Sequence, residues 1–401
     1  MSAVPELRIA MVGSGFAADY HTDSWRHVRD VDAKVVAVTS LHPDRARAFA
    51  QKHGIPHAFD TLDDLLASVE VDAVDLCVPT HCHVPMALQA IRAGKHVIVE
   101  KPFTGYCGEP NDDPDALIGN TVPRAHMLQS VMAACDEVEA ALKTSGTKLC
   151  YAENWVYAPT VQKARRLIEN SGGTVLRMVA EESHPGSHAS YAKYWRLAGG
   201  GSLLRTGSHP IGGVCYLKQA EGLAKYGAPI RPTQVLAHTA FLTHIPSFVA
   251  EPVKYLNTGL VDCEDFGAAI ITFEDGSVAQ VTSSDVVLGG VYNHLDVFLS
   301  TGRIQCRINP HDACMAYGPF EGAWGEEYLA EKISTRAGWS YPVPDEHWNN
   351  GYQQELQDFA EAIAYDRPPL SGWQLARDVT AVIFAAYVSA AEGRPVEVPR
   401  D

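Results

Sequence analysis

LRIAMVGSGFAA, residues Leu7–Ala18, is the stretch that decides the fold. An apolar run ends here in two glycines, and a segment of helical length follows. Glycine at position 13 permits a tight turn, glycine at 15 lets the backbone approach a pyrophosphate, and alanine stands where the pattern has a third glycine. N–H groups at the start of the helix are suited to bind phosphate. We therefore expect a dinucleotide site at Gly13, Ser14, Gly15, Phe16 and Ala17; the alternative is an ordinary strand-to-helix turn.

The same strand-and-helix alternation continues after this stretch. Apolar runs recur at Ala33–Val38, Ala73–Val78 and His96–Val99, separated by the helix-length segments Ala17–Val31, Asp44–His53 and Val84–Ala93. Alternating strands and helices predict a parallel, doubly wound sheet with helices on both faces. The first part of the chain is thus expected to be an α/β domain of the Rossmann type.

The end of the second predicted strand bears on the choice of cofactor. The chain reads VTSLHPDR from Val38 to Arg45, without the acidic residue that commonly binds a ribose 2′-hydroxyl directly after this strand. Ser40 and Arg45 are suited to receive a 2′-phosphate, whereas Asp44 is suited to bind the ribose. NAD and NADP therefore both remain open.

The chain changes character near residue 148. Residues 103–124 are rich in turn formers and read as an insertion, and an amphipathic helix follows at Leu128–Leu142. Beyond it, strand-like runs are separated by turns such as Glu274-Asp275-Gly276 and Thr301-Gly302. We expect a dinucleotide-binding domain at 1–148 and an α+β domain with a large, mostly antiparallel sheet at 149–401.

The second domain is expected to contain five strands and four helices. Its expected strands are Val175–Ala180, Gln234–Leu242, Phe266–Phe273, Val278–Ser283 and Leu295–Ser300, and its expected helices are Thr160–Asn170, one around Leu203–Tyr216, Gln354–Ala364 and Gln374–Ala390. The last helix is expected to pack back on the first domain. Residues 309–350 show little periodicity, so we expect a long excursion near the site or at a subunit contact.

Composition narrows the class of protein. The chain has 401 residues, 46% hydrophobic and 20% charged, which favours two globular domains. Its net charge of −16 argues against generic nucleic-acid binding. It has neither an apolar run of the roughly 18 residues that a membrane span needs nor a signal-peptide pattern, so we expect a cytoplasmic protein that does not enter membranes.

Cysteines and histidines do not indicate a metal site. The nine cysteines are scattered and odd in number, which favours reduced thiols. Two histidine pairs, His81 with His83 and His184 with His188, lie close in sequence, but each lacks the further ligands that a metal needs. We predict no metal.

Two further motifs carry a family resemblance. VPTHCH at residues 78–83 and AGKHVIVEKP at 93–102 resemble the glucose–fructose oxidoreductase, inositol dehydrogenase and rhizopine-catabolism (Gfo/Idh/MocA) family. The resemblance implies that Pro79, Thr80 and His83 line the nicotinamide ribose. It also implies that Glu100 and Lys101 lie beside cofactor and substrate.

The resemblance covers most of the second domain as well. AGGGSLLRTGSH at residues 198–209 resembles the family pattern Gly-Gly-Gly-x-Leu-x-Asp-x-Gly-x-His, with Arg205 in the place of the aspartate and His209 as its histidine. The similarity continues through residues 371–399. It implies a nicotinamide-dependent dehydrogenase acting on a CH–OH group, with a homodimer or homotetramer as its assembly.

The resemblance also suggests residues that bind substrate. Asn154 and Tyr157, at the crossing into the second domain, and the stretch ESHPGSH at residues 182–188, with His184 and His188, resemble a subgroup that oxidises carbon 3 of glycosides. The alternatives are aromatic packing at the domain junction for the first pair and surface polar residues for the second.

Oxidation of an alcohol needs a base for the hydroxyl proton while hydride leaves. We expect His209 to act as the base and Lys101 to hold the hydroxyl and share the proton transfer. Arg205, if it faces the site, disfavours protonation of His209 or contacts substrate; otherwise it points away into an interface.

Two other functions remain open at this point. One is a protein that retains its dinucleotide and recycles it, as a sugar transhydrogenase or an NAD-dependent glycosidase. The other is a non-catalytic dinucleotide sensor on the same fold.

Overall fold

The computed structural model describes residues 4–187, 189–309, 314–333 and 335–400. The first sheet consists of β1 (Glu6–Val12), β2 (Asp32–Thr39), β3 (His57–Phe59), β4 (Ala73–Leu76), β5 (His96–Glu100) and β6 (Leu149–Ala152). The helices between and after these strands are α1 (Phe16–Trp25), α2 (Pro43–His53), α3 (Leu62–Ser68), α4 (His83–Arg92), α5 (Ile118–Thr121) and α6 (Arg124–Ser145).

The six strands are parallel and lie in the order β3-β2-β1-β4-β5-β6. From β1 the chain moves outward to β3 and then returns to β4 on the other side of β1. The carboxyl ends of β1 and β4 therefore form the switch point where doubly wound sheets bind ligands. The prediction of a Rossmann-type sheet is confirmed.

Three sequence predictions in this half need correction. Helix α1 ends at Trp25 rather than Val31, because the chain reverses before β2, with Asp30 at a φ of 61°. Strand β4 ends at Leu76 rather than Val78, because Pro79 has no N–H for the ladder and starts a short 3₁₀ turn. Strands β3 and β6 and helix α3 were not predicted, because segments of three to seven residues carry little periodicity.

The second sheet has seven strands. They are β7 (Val175–Ser183), β8 (Pro232–Ala240), β9 (Phe266–Phe273), β10 (Val278–Ser284), β11 (Tyr292–Leu299), β12 (Gly302–Arg307) and β15 (Val396–Glu397). Their order is β12-β11-β7-β10-β9-β8-β15, and β10 with β7 is the parallel pair among otherwise antiparallel pairs. The mostly antiparallel sheet is confirmed, and both predicted hairpin turns connect neighbouring strands.

The remaining elements surround this sheet. The helices are α7 (Pro159–Ser171), α8 (Trp195–Ala198), α9 (Ser202–Arg205), α10 (Ser208–Tyr226), α11 (Pro246–Val249), α12 (Glu346–Asn349), α13 (Tyr352–Ala364) and α14 (Trp373–Glu392), and a small hairpin is made by β13 (Ala316–Gly318) and β14 (Gly338–Ser340). Helices α10 and α14 pack on the sheet and are largely buried, so the core of this half lies between them and the strands.

The two halves are joined by several contacts. Helix α14 packs against α6, where Arg377 lies 2.8 Å from Asp136. The segment 103–124 is fastened to the second half, since the Tyr106 N–H donates to the carbonyl of Gly199 at 3.1 Å and the Gly119 N–H donates to Asp262 at 2.9 Å. These contacts hold α6 and the segment 103–124 of the first half against the second half.

The excursion 314–350 reaches back to the first half. His347 stacks on Tyr20 of α1 with ring centroids 4.0 Å apart, and the Tyr328 hydroxyl donates to Glu346 at 2.6 Å. The excursion therefore lies beside the helix that begins at the glycine turn. Over the described parts of the chain, no helix has both the length and the apolar character needed to cross a membrane.

Candidate active site

The glycine turn has the geometry of a phosphate cradle. Gly13 has a φ of 120°, and a Cβ at this position would lie 2.1 Å from the carbonyl oxygen of Cys77. Only glycine fits there. A Cβ on Gly15 would meet nothing within 4 Å, and no side chain caps the start of α1. Open space above Gly15 and free N–H groups at a helix start suit a pyrophosphate, so the turn fits a dinucleotide.

The end of β2 lies next to this turn. The hydroxyls of Ser14 and Ser40 are 3.0 Å apart, and Arg45 is exposed in the first turn of α2. Asp44, the candidate ribose partner, is held by Arg47 at 2.9 Å and is itself exposed. Ser40 therefore lies beside the glycine turn, and both candidate 2′ contacts remain on the same edge of the sheet.

Pro79, Thr80 and His83 follow β4 at the switch point. Thr80 is buried in the 3₁₀ turn, and His83 is only 1% exposed. Nδ1 of His83 lies 2.9 Å from the Pro102 carbonyl oxygen, and its Nε2 lies 2.8 Å from that of Val78. Burial lowers the pKa of His83 despite these carbonyls. Both ring nitrogens of His83 thus lie against backbone carbonyls, and its place beside the nicotinamide ribose stays a prediction.

Glu100 and Lys101 end β5 at the same edge. The backbone N–H of Lys101 donates to Glu100 Oε2 at 2.9 Å, and Lys101 Nζ donates to the carbonyl of Arg205 at 3.4 Å. Burial opposes ionisation of Glu100, but the hydrogen bond from His21 and the charges of His21 and Lys101 hold its pKa below the usual value. The lysine side chain thus extends from the first half toward the start of α10.

His209 has an orienting carboxylate, though from another part of the chain than the family pattern implies. Nδ1 of His209 lies 2.6 Å from Glu153 Oε1, and its ring lies nearly parallel to Trp155 with centroids 5.9 Å apart. Its Nε2 faces Glu182, at 3.9 Å from Oε2. Glu153 follows strand β6, so a carboxyl end of the parallel sheet supplies the group that fixes the histidine ring. The signal for Glu153 in the sequence is its position directly after the apolar run at residues 149–152.

Arg205 does not contact His209 through a bond found in the structure. Its guanidinium pairs with Asp285, which is 2% exposed, and its carbonyl receives the Lys101 ammonium. The guanidinium is thus held in a buried ion pair, while its effect on His209 and a place at a subunit interface stay predictions. The guanidinium Nε of Arg205 is buried without a hydrogen bond among the described residues, and a substrate contact of Arg205 stays a prediction.

His184 and Glu182 lie at the end of β7, beside the same groups. Burial lowers the pKa of His184 to about 2, reinforced by the charges of Lys332, Arg205 and Lys101. The Gly186 N–H donates to its Nδ1 at 3.1 Å, which leaves the proton of the neutral ring on Nε2. His184 is thus a neutral donor near the two lysines. His188, its predicted companion, lies outside the described residues.

Lys332 is a site residue that sequence reasoning missed. It belongs to the excursion, has a φ of 58°, and its side chain is 12% exposed. Burial lowers its pKa, which Glu331, Glu182 and Asp285 counteract and Lys101 reinforces. A second ammonium therefore faces the Lys101 site. Its sequence surroundings have no motif, and only the prediction that the excursion lies near the site pointed to it.

Asn154 and Tyr157 are buried at the junction of the two halves. Asn154 donates to the carbonyl of Asn350 at 2.7 Å. The Tyr157 hydroxyl donates to Asp358 at 2.8 Å and accepts from the Ser371 N–H at 2.9 Å. The predicted substrate contact of Tyr157 needs correction, because its hydroxyl is satisfied within the junction; the packing alternative describes it.

Comparisons with known proteins agree with this geometry. A family model described as an oxidoreductase family with an NAD-binding Rossmann fold matches residues 7–111, and the Gfo/Idh/MocA C-terminal domain model matches residues 161–305. Together the two matches span most strands of both sheets and include Lys101, Arg205 and His209, whereas Glu153 and Lys332 lie outside the matched ranges.

Individual relatives point to the same family. An uncharacterised oxidoreductase of Synechocystis, sll0816, is 36% identical over 312 residues, which cover 76% of this chain and 72% of that protein. D-glucoside 3-dehydrogenase of Escherichia coli is 36% identical over 96 residues, 24% of this chain and 27% of that protein. A structure of levoglucosan dehydrogenase with NADH and levoglucosan has a TM-score of 0.73 at 20% identity, covering 99% of this chain and 100% of that one. The chain belongs to the Gfo/Idh/MocA family of NAD-binding oxidoreductases.

Proposed function

We propose that the protein oxidises a secondary hydroxyl of a sugar, inositol or glycoside and transfers the hydride to a nicotinamide dinucleotide. The observation that carries the proposal is the convergence of Lys101, His209 and Glu182 from three different elements. The Lys101 ammonium donates to the carbonyl of Arg205 in the second half, and His209 Nε2 faces Glu182 across 3.9 Å.

His209 is suited to act as the base. With Nδ1–H bound to Glu153, the lone pair of a neutral ring lies on Nε2, where it can accept the hydroxyl proton. Glu153 also stabilises the imidazolium that forms, in the way a buried carboxylate supports other catalytic histidines. Oxidised nicotinamide, when bound, supplies the hydride acceptor.

Lys101 is suited to hold the reacting oxygen. Its ammonium can donate to the hydroxyl and to the alkoxide character that develops as the proton leaves. Lys332 and His184 add further donors around the same space, as a polyol substrate requires. The chain has both Lys101 and an oriented His209. This favours an enzyme over a non-catalytic dinucleotide sensor, because a sensor does not need a base.

Carbon 3 of a glycoside is our choice of reacting position. The sequence around Asn154 and His184 is similar to the subgroup that oxidises this carbon, and the similarity to the E. coli D-glucoside 3-dehydrogenase supports it. Neither NAD nor NADP is preferred by the residues at the end of β2.

The experiment uses methyl β-glucoside, glucose and myo-inositol, each with NAD and with NADP. We expect reduced dinucleotide with the glucoside, and mass spectrometry should find deuterium on it when carbon 3 of the glucoside carries the label. Transfer from another labelled carbon would contradict the position, and no reduction with any polyol would contradict the proposed function.

A retained dinucleotide is the second candidate, and the contact of the excursion with α1 favours it. The His347–Tyr20 stack ties the second half to the helix that starts at the cofactor turn. Denaturing the purified protein and identifying what is released separates the two modes. A stoichiometric dinucleotide supports retention, as in a transhydrogenase or an NAD-dependent glycosidase, and an empty protein supports exchange at each turnover.

A further inference from the structure

Three charged side chains form a buried chain beneath Lys101. Nδ1 of His21, on α1, lies 3.0 Å from both oxygens of Asp75, and its Nε2 lies 3.2 Å from Glu100 Oε1. His21 and Asp75 have no exposed surface, and Glu100 is 9% exposed. The other oxygen of Glu100 accepts the backbone N–H of Lys101. One continuous hydrogen-bonded path therefore runs from β4 through α1 to the lysine of the site.

The other partners of the two carboxylates are all donors. Trp25 Nε1 donates to Asp75 at 2.8 Å, the Cys77 thiol faces Asp75 at 3.6 Å, and the Lys101 N–H donates to Glu100. Both carboxylates thus accept throughout, and the imidazole between them must donate from both nitrogens. That assigns His21 a proton on each nitrogen and a positive charge.

The electrostatics agree with this assignment. Burial by itself lowers the pKa of His21, but the interactions with Asp75 and, after them, with Cys77 together outweigh burial and hold the pKa well above its usual value. The titratable groups that face His21 come from three parts of the fold, namely β4 and its end, β5, and α13: Asp75, Cys77, Glu100, Tyr352 and Glu355. Burial raises the pKa of Glu355, so this neighbour is held neutral and adds no further charge.

We propose that His21 is a positioning residue for the oxidation: as an imidazolium between Asp75 and Glu100, it fixes the carboxylate that holds the Lys101 backbone and so sets the place of the Lys101 ammonium. This inference rests on the proposed function. His21 acts through Glu100 and the Lys101 backbone. A change at His21 should therefore alter the rate of the chemical step.

Removal of the cation leaves two like charges facing each other. Asp75 and Glu100 would then share a buried space without compensation, and one of them must take up a proton or turn away. If Glu100 turns away, the Lys101 N–H loses the acceptor that holds this part of the backbone. A displacement of about 1 Å at a reacting group costs on the order of 10²-fold in rate.

A metal ion is the competing use of this cluster. His21, Asp75 and Cys77 offer ligand atoms within 4.8 Å of one another. Binding through His21 Nδ1 requires that nitrogen to lose its proton and Cys77 to become a thiolate, yet burial strongly raises the pKa of this thiol. The hydrogen-bonded imidazolium needs neither change.

The first test is a direct measurement of protonation. In protein with ¹⁵N-labelled histidine, the proposal predicts one imidazole that keeps protons on both nitrogens to about pH 8, well above the ordinary histidine pKa of about 6.5. This signal should be absent from His21→Gln. A neutral tautomer at His21, or a stoichiometric metal released on denaturation, would overturn the proposal even if the variant does not fold.

The second test separates positioning from simple packing. We expect His21→Gln to lower kcat by about 10²-fold while KM for the dinucleotide stays within about threefold. Adding Asp75→Asn removes one of the two like charges and leaves the introduced glutamine amide free to donate to Glu100. We therefore expect kcat of the double variant to be about tenfold higher than that of His21→Gln. His27→Gln, an exposed histidine just beyond α1, is the matched control and should keep wild-type kcat.

The outcomes are distinct from those that test the proposed function. A double variant as slow as His21→Gln, or slower, would show a packing role and refute positioning. A wild-type protein that reduces no dinucleotide with any polyol would refute the function, whereas the protonation measurement on His21 would still stand on its own.

Discussion

Glu153 fixes the orientation of the His209 ring, because its Oε1 lies 2.6 Å from Nδ1 while the ring lies against Trp155. The second oxygen of Glu153 is buried and has no hydrogen-bond partner among the described residues. One oxygen therefore carries the whole interaction, and a change at this position acts on the orientation of a single ring.

Glu153→Gln tests this orientation. A glutamine amide can donate to Nδ1 and so favour the tautomer that has its proton on Nε2, where the base must be unprotonated. We expect kcat to fall by ~10²–10³-fold, with the Kd for dinucleotide within about threefold of wild type. Steady-state kinetics and dinucleotide titration check it, and a variant with wild-type kcat would show that His209 is not the base.

Lys332 is the second residue whose role can be measured. Its ammonium is largely enclosed and faces the groups that surround Lys101, so Lys332→Met removes a donor from the substrate space without changing the glycine turn. We expect KM for the polyol to rise by about tenfold, which corresponds to about 1.4 kcal/mol. Lys163→Met, at an exposed position on α7, is the control, and an unchanged KM in Lys332→Met would contradict a substrate contact.

At the residue scale, motifs identified some members of the site and missed others. Lys101 and His209 stand in patterns whose spacing the fold preserves, so they could be predicted. Glu153, Lys332 and Asp285 come together only in three dimensions, from a strand end, an irregular excursion and a loop after β10. Tyr157 also stood beside a motif, but its hydroxyl bonds to Asp358 and to the Ser371 N–H within the junction of the two halves.

At the element scale, the glycine run 199–201 and α9 depend on a buried acid. Glu264 Oε1 accepts from the Leu203 N–H at 3.0 Å and from the Tyr387 hydroxyl at 2.8 Å. Burial raises the pKa of Glu264 from 4.5 to about 7, although these hydrogen bonds oppose the shift. The folded protein therefore holds a proton on Glu264 in a range of pH where the unfolded chain has lost it.

The consequence is a pH dependence of stability. Because the folded pKa is raised, this proton stabilises the fold below pH 4.5, and the stabilisation is lost as pH rises through about 7. Glu264→Gln is neutral at every pH and can keep the acceptor for Leu203 and Tyr387. We expect its unfolding free energy to exceed that of wild type by ~1–3 kcal/mol at about pH 8, with a smaller difference at about pH 5. Thermal unfolding at the two pH values measures this, and a difference that grows at low pH would contradict it.

Long periodic elements could be read from the sequence, and short ones could not. The strands around β1, β2, β9 and β10 and the helices α6 and α14 have enough residues for periodicity to show. The three-residue strand β3 and the four-residue helices α5 and α8 are held by neighbours rather than by local preference. The early end of α1 depends on the chain reversal at Asp30, which no strong stop residue announces.

At the scale of the whole molecule, the outer face of the second sheet leaves apolar side chains in solvent. Leu236 and Ile270, paired across β8 and β9, are 41% and 42% exposed, and Leu176 on β7 is 54% exposed. A sheet with one uncovered apolar face commonly acquires a partner there. We expect a homodimer or homotetramer, and Ile270→Asp should shift the species seen by solution scattering toward smaller mass. A monomeric wild-type protein would contradict this.

The site itself depends on the joining of the two halves. The Rossmann half supplies Lys101 and Glu153, and the second half supplies His209, Glu182 and Lys332. Contacts such as Arg377–Asp136 and Tyr157–Asp358 keep these groups in register. The order of strands and helices predicted that the first half holds the cofactor turn and that the second half contains a separate sheet. It did not predict the distances between side chains of the two halves.

Lys101→Ala tests the central claim most directly, with Lys95→Ala, a partly exposed lysine just before β5, as its control. The measurement is single-turnover reduction of dinucleotide by the preferred polyol, alongside dinucleotide binding by the same variant. The account predicts binding within about threefold of wild type and a rate at least about 10³-fold lower. An unchanged rate in Lys101→Ala would contradict the assignment of Lys101 to the reacting hydroxyl and, with it, the proposed site of oxidation.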